Sequence, residues 1–438
     1  MPRKGKKDYG IVKADVSPDG NNEDAGSEVG THISSLSDTK TTDLDAEAPL
    51  GGEGQAEFTG SLDQLEDKLK DAIEKCTDSS VKSRETALAE INLGLERRLL
   101  YDFIVGRVET FADIVERSLR RGKSAEQNLA ARLSALLCVQ LGGDCGEFFN
   151  KVRSALLTTY SDVSVSALAR AACAEALGIG SFIADEEPDV FNDTIRRFSK
   201  TFSASYLKGD HTSPIISAEV SELHRQSLLS WSLLLSVASD GIITEEVAQH
   251  LHKLPDLLET GDTDFRIASG ESIALMNEMI RDLPSGYSKM PELAKLCLRL
   301  RELSTESTKH KAKKDKKQQR SSFREILHSI EDGDGSFQRI RFGKEVLDLH
   351  TWRHKLQYEA LCSVLHTGIN YHLRANPLIR DIFDLGDPLP ESMIADNSKK
   401  GDKFLRQMQQ DAADKDRSVS RNLHRNNKQA ATRDLDED

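Results

Sequence analysis

The residues of this 438-residue chain whose type and spacing best suit chemistry are cations. Between Lys309 and Arg324 stand eight Lys or Arg residues against the single Asp315. Lys311, Lys313, Lys314, Lys316, Lys317, Arg320 and Arg324 belong to this run, and Arg339, Arg341, Arg353 and Lys355 follow closely. Clustered cations attract phosphates by releasing condensed counterions, an effect that is salt-sensitive and independent of base sequence. These eleven residues are therefore the candidate RNA contacts. Lys313, Lys314, Lys316 and Lys317 also read as a nuclear-import signal, and an ordinary solvated helix face is the third reading.

Other chemistry finds fewer parts. His350 and His354 have i, i+4 spacing, and His366 and His372 follow, but Thr351 stands where HExxH requires Glu, and no Cys or acidic cluster completes a ligand set. Glu331 to Gly335 (EDGDG) resembles a calcium loop, yet an EF-hand beginning at Asp332 needs Gly at Phe337 and Glu at Gly343. Gly343-Lys344 lacks the rest of a Walker loop, GIGSFI stops short of GxGxxG, and there is no GxSxG. Six scattered cysteines form no CxxC pair and read as buried thiols in a reducing compartment. The expectation is a protein that is not an enzyme, with no catalytic residues, metal, cofactor or small-molecule substrate.

The elements that must position the cations are helices. Aromatic content is 5%, and Leu, Ala, Glu and Lys are abundant, which suits helix-on-helix packing. At this length a solenoid or several domains are expected. Net charge is -13, but Ala14 to Glu57 alone holds eleven acidic residues against Lys40. The opening MPRKGKKDYG has no apolar core and no run approaches membrane-spanning length, so neither a secretory signal nor a membrane partner is expected.

Residues 1–58 read as a disordered acidic tail. Ser61 with Gln64 predicts a capping box, and Leu62, Leu65, Leu69 and Ile73 recur at helical spacing. Ile104, Val108, Phe111, Val115 and Leu119 form one stripe between the cap candidate Asp102 and Gly122, and Ser124 with Gln127 predicts the next cap. Two alanine-rich helices end in Leu141-Gly142 and Leu177-Gly178, an offset of about 36 residues, near the period of about 40 to 47 of armadillo and HEAT arrays. The fold class is all-α, an armadillo/HEAT-like superhelix over 59–308, with a globular bundle of the same helices as the alternative. A basic segment and helix follow over 309–335, with Ser322 and Glu325 as a capping box that fastens the basic run to Phe323, Ile326, Leu327 and Ile330. A small, mainly helical module spans 336–387. It holds a short hairpin or extended segment at QRIRFGKEVLDL, a helix capped by Thr351, and another opened by Asn376-Pro377. Residues 388–438 read as a polar tail, flexible or partly helical.

HKAKKDKKQQRSSFREILHSIEDGDG, continuing through IRFGKEVLDLHTWRHKLQYEALCSVLHTGINYHLRANPLIRDIFDLG, resembles the interferon-related developmental regulator family. The resemblance is strong over about 309–386. It is looser over about 80–303, where DFIVGRVETF and LLCVQLG carry it, and is not seen in the acidic tail or beyond 388. It implies a non-enzymatic regulator, with ribosome binding that silences translation in one mode and transcriptional co-regulation through corepressor proteins in another. In the first, the resemblance places the C-terminal module and following helix at tRNA sites and the mRNA channel. In the second, the solenoid groove receives protein peptides and the basic run serves import. The expected partners are a ribosome or other RNA-protein assembly and corepressor proteins, in cytoplasm and nucleus.

Overall fold

The computed structural model describes residues 42–43, 62–184, 187–283, 292–306, 313–333, 335 and 337–388, with the side chains of 42–43 and 313–315 left out. All belong to one compact unit. The proposed acidic tail, apart from Thr42–Asp43, and the polar tail beyond 388 lie outside the described residues.

Six helical pairs follow one another: α1 (Leu62–Lys75) with α2 (Val81–Arg97), α3 (Tyr101–Val105) and α4 (Val108–Arg121) with α5 (Ser124–Leu141), and α6 (Gly146–Ser161) with α7 (Ala167–Ile183). Then come α8 (Pro188–Phe202) with α9 (Ala218–Leu235), α10 (Asp240–His250) and the 3-10 turn Leu254–Glu259 with α11 (Thr263–Asp282), and α12 (Leu293–Thr305) with α13 (Lys313–Asp332). The second helix of each pair packs on the second helix of the next, so α2, α5, α7, α9, α11 and α13 form one continuous ladder. This is the repeat architecture expected from the apolar periodicity: each pair leaves an apolar flank that only its neighbours cover.

Polar rungs record the repeat more faithfully than the alanine-rich helices do. Arg84 pairs with Glu126, Arg153 donates to Thr194, Ser221 to Asp262 and Arg266 to Glu306, across 42, 41, 41 and 40 residues. Different polar pairs thus bridge the same interval of about one repeat along the array.

Three local expectations change. The stripe from Ile104 to Leu119 is two helices, because Gly106 and Arg107 interrupt the ladder of backbone bonds. Ser124 is the first residue of α5 rather than its cap, and Gln127 instead donates to the Leu119 carbonyl. Ser322 is buried in the middle of α13, so it caps nothing: the basic run forms the first turns of that helix. A polar cap signal inside a long amphipathic helix loses to packing, here of Phe323 and Ile326 against α11.

Apart from short 3-10 turns, the remaining described elements are β1 (Thr42–Asp43), β2 (Gln338–Phe342), β3 (Glu345–Leu349), α14 (Trp352–Leu365), α15 (Ile369–Ala375) and α16 (Pro377–Ile382). β2 and β3 form an antiparallel hairpin around Gly343, which adopts φ +61°. Thr351 and Asn376 cap α14 and α16 as expected. The module does not stand apart. α14 lies against α2, α5, α9 and α11, and α15 against α2, so the ladder face is covered by the chain's own C-terminal segment. Ile340, Phe342, Trp352, Leu361, Val364, Leu365 and Leu373 join one core with the repeats.

Close approach of the ladder helices depends on small residues. A Cβ at Gly178 would stand 2.8 Å from Ser230 Cβ on α9. Gly178→Val should therefore lower stability by about 2 kcal/mol, with overpacking outweighing the gain in helix propensity. Thermal denaturation checks this, and an unchanged or raised Tm contradicts the close-packing account.

Candidate nucleic-acid interface and the buried charge cluster beneath it

The ladder face carries charge from every second helix: Glu96 on α2, Arg132 on α5, Glu175 on α7, Arg225 on α9, Glu271 on α11 and Glu325 on α13. Arg132 meets Glu96 at 2.6 Å, and Arg225 donates to both Glu222 carboxylate oxygens from Nε and one terminal nitrogen. The alternation fails at the end, where Glu271 and Glu325 adjoin. There α14 supplies Lys355, whose Nζ lies 3.0 Å from Glu325 and 3.7 Å from Glu271, and 4.4 Å from the Trp352 ring centre.

Lys355 is 6% exposed. Burial alone lowers the pKa of its ammonium, but Glu325, Glu359 and Glu271 outweigh burial and hold it above the ordinary lysine value. This removes Lys355 from the candidate phosphate contacts: its donors face carboxylates inside the protein. Glu359, one turn on, is pushed up to about 8 by burial and by Glu271, against the opposing pull of Lys355. Burial likewise raises Glu271.

Further bonds fasten α14 along the ladder. The Glu278 carboxylate accepts from the backbone N–H groups of Trp352 and Arg353, and Trp352 Nε1 donates to Ser329 Oγ at 2.7 Å. Gln357 donates to Ser236, and Ser363 to Glu175. At the far end His372 Nε2 bonds the Glu96 carbonyl at 3.1 Å, which makes Nε2 the protonated nitrogen, and Asn376 donates to Val139 O. Burial pushes His372 and His366 down to about 4.

The other sequence candidates divide by direction. Lys311 lies outside the described residues, and Lys313 and Lys314 are described as helical backbone only. Lys316 and Arg320 are half-buried, while Lys317 and Arg324 are exposed; helical positions 313, 317, 320 and 324 fall on one face. Arg339 and Arg341 point outward from β2. Arg339 forms a two-point bond with Asp348 and lies over the Phe337 ring. Arg353 is half-buried, bonded to Ser236 O and 3.7 Å from Asp282, so it belongs with the internal fastenings. The outward set is thus Lys316, Lys317, Arg320, Arg324, Arg339 and Arg341, with Phe337 (57% exposed) beside it. Among the described residues no group of three His, Cys, Asp or Glu is arranged to hold a metal ion, and no helix is long and apolar enough to cross a membrane.

Sequence reading missed Glu271, Glu325 and Glu359 as partners of Lys355, and Arg380, which is buried and bound to Glu345 through two donors. Only the i, i+4 placement of Lys355 and Glu359 was a local signal.

Removing one member of a buried cluster leaves the others uncompensated, which costs about 3–5 kcal/mol. Lys355→Ala should destabilise the chain by that order in chemical denaturation, and adding Glu325→Gln should recover part of the loss. Additivity of the two substitutions would contradict the cluster. Stability should also fall on both sides of about pH 6. Glu359 has a raised folded-state pKa, so its contribution is complete below its unfolded value and is lost as pH rises toward about 8. His372 has a lowered one, so its contribution is lost as pH falls from about 6.5 toward 4. Melting curves across pH test this: Glu359→Gln should flatten the alkaline limb alone, and an unaltered limb refutes the assignment.

Comparison with known proteins places these features in a family. The family model described as Interferon-related developmental regulator (IFRD) matches residues 29–331, and that described as Interferon-related protein conserved region matches 376–429. Both reach further than the motifs suggested, into the acidic segment and the polar tail. Interferon-related developmental regulator 1 of Homo sapiens is 37% identical over 91% of this chain and 87% of its own. Interferon-related developmental regulator 2 of Mus musculus is 38% identical over 86% and 85%. An archaeal HEAT-like repeats protein from Thermococcus onnurineus aligns with 61% of this chain and 90% of its own at 15% identity and TM-score 0.37. On the two family models and the near full-length similarity, this chain belongs to the interferon-related developmental regulator family.

Proposed function

We propose that the chain is a non-enzymatic regulatory scaffold that binds ribosomes or other RNA-protein assemblies through its basic C-terminal region and represses translation. The observation that carries this reading is the outward cationic face of α13, together with Arg339, Arg341 and the exposed Phe337 on the neighbouring hairpin. Cations attract the phosphate backbone and an exposed ring can stack on an unpaired base. Membership of a family that the resemblance associates with ribosome binding adds support. On this reading the protein works in the cytoplasm, and the lysines of α13 also permit a nuclear pool.

The other reading, a nuclear co-regulator that receives corepressor peptides in the solenoid groove, is weakened because α14 covers the ladder face. Such a partner would have to use another surface or displace a helix bound through buried ion pairs.

The test is binding of the full chain to ribosomes and to a single-stranded RNA oligonucleotide at several salt concentrations. Replacing Lys316, Lys317, Arg320 and Arg324 with Gln should weaken binding by at least about tenfold near 0.1 M salt and flatten the salt dependence. Unchanged ribosome sedimentation and RNA affinity would sink the reading. A loss of corepressor capture with RNA affinity intact would favour the alternative.

A further inference from the structure

The fourth helical pair is joined by an unusually long connection. α1 joins α2 across 76–80, α4 joins α5 across 122–123 and α6 joins α7 across 162–166, whereas α8 joins α9 across 203–217. A 3-10 turn, Ser203–Ser205, opens it, and the Tyr206 hydroxyl lies 3.0 Å from His250 Nδ1, which anchors that end. A tight turn follows. The Thr212 carbonyl accepts from the Lys208 N–H at 3.0 Å, the Asp210 carboxylate accepts from the Thr212 N–H and hydroxyl, and His211 adopts φ +60°. Beyond it, residues 212–217 are neither helix nor strand, and among the described residues no hydrogen bond holds Ser213, Pro214, Ile215 or Ile216. Ser213 is exposed and Ile215 is 101% exposed, so the segment stands clear of the repeats.

Ser213-Pro214 is one of two Ser-Pro pairs in the sequence, the other being Ser17-Pro18, and no Thr-Pro occurs. Proline fixes its own φ, offers no N–H to a ladder, and turns the residue before it from helix toward extended backbone. Transfer of a phosphoryl group to a side chain needs that form. The acceptor hydroxyl must approach the γ-phosphorus in line, so the chain on both sides of it has to lie open in the kinase cleft. Other serines show the contrast. Arg120 and Arg121 precede Ser124 at a spacing that suits a basic-directed kinase, but Ser124 opens α5 and the residues after it are committed to that helix. Ser199 follows Arg196 and Arg197 and is buried within α8. Around Ser213 no helix has to unwind and no backbone bond has to break.

We propose that Ser213 is a phosphorylation site for a proline-directed protein kinase, with ATP as the phosphoryl donor. Ser213 Oγ attacks the γ-phosphorus: the new O–P bond forms as the bond to the β,γ-bridging oxygen breaks, ADP leaves with that electron pair, and the hydroxyl proton passes to a base of the kinase. The product carries about −1.5 to −2 charge at pH 7 where the parent has a neutral hydroxyl. Lys208 and His211 are the basic residues of this connection, both in the turn just before the new charge, and the phosphate finds its partners there. The site is independent of the RNA reading, since it belongs to the α8–α9 pair and not to α13 or the hairpin.

The full-length chain carrying Ser17→Ala, which leaves Ser213-Pro214 as its remaining Ser-Pro pair, tests this. It is incubated with a purified mitogen-activated protein kinase and ATP, beside a synthetic peptide of residues 206–219, and the phosphate is located by mass spectrometry. Ser213 in the folded chain should be modified at a rate within about threefold of the peptide, because no local unfolding has to precede the reaction. Ser213→Ala should remove this phosphate, and Pro214→Ala should slow its incorporation by at least about tenfold in chain and peptide alike. A peptide that is modified while Ser213 of the folded chain is not overturns the exposure on which the proposal rests. Modification of neither, or a rate indifferent to Pro214→Ala, overturns the proline-directed site.

Discussion

The fold is organised around a charge that has nowhere else to go. Glu271 and Glu325 come from adjacent rungs of the ladder and would repel each other in a site closed to water. Lys355 stands between them, and its position determines how α14 lies. Alternating charge along the ladder face makes that face a poor apolar surface and a selective one: a helix laid across it must bring the right cation to the right rung. Trp352 and Gln357, on either side of Lys355, satisfy Ser329 and Ser236, so the register is over-determined by several bonds. Such a cluster contributes specificity of docking more than net stability. The apolar residues of the module supply the burial.

This explains why the array and the module read as separate in sequence and are one body in space. Local information suffices for the helices, because an apolar stripe of helical period and a terminal glycine act within a few residues. Thr351 and Asn376 were legible for the same reason. The partners of Lys355, Trp352 and His372 lie 30, 74 and 276 residues away, and no periodicity carries that information. The basic run was placed ahead of its helix rather than within it because composition reports solvation and not conformation. A helix with Gln318, Gln319 and Phe323 turned inward has room for lysines on its other side.

The same cause sorted the candidate site. Eleven cations look alike in a sequence, and only their surroundings separate them. Lys355 and Arg353 are internal, Arg339 shares its charge with Asp348, and the outward residues of α13 and β2 remain as a surface. Sequence marks the cations but cannot tell fastening from exposed charge, since the partners that hold Lys355 and Arg353 inside lie 30 and 117 residues away.

That the cationic run is the opening of α13 has a mechanical consequence. A basic brush must be ordered when it meets a partner, at a cost of about 1–2 kcal/mol for each backbone unit restrained. A rod seated on the repeats has its backbone order established at folding. Its charges advance along one line by about 1.5 Å per residue, an interval that belongs to the protein and not to the partner. On the proposed reading, such a rod favours a polyanion whose phosphates border a trough of matching width over a strand that must be straightened to follow it. Selectivity for a folded RNA surface over loose RNA can then arise without any base being read.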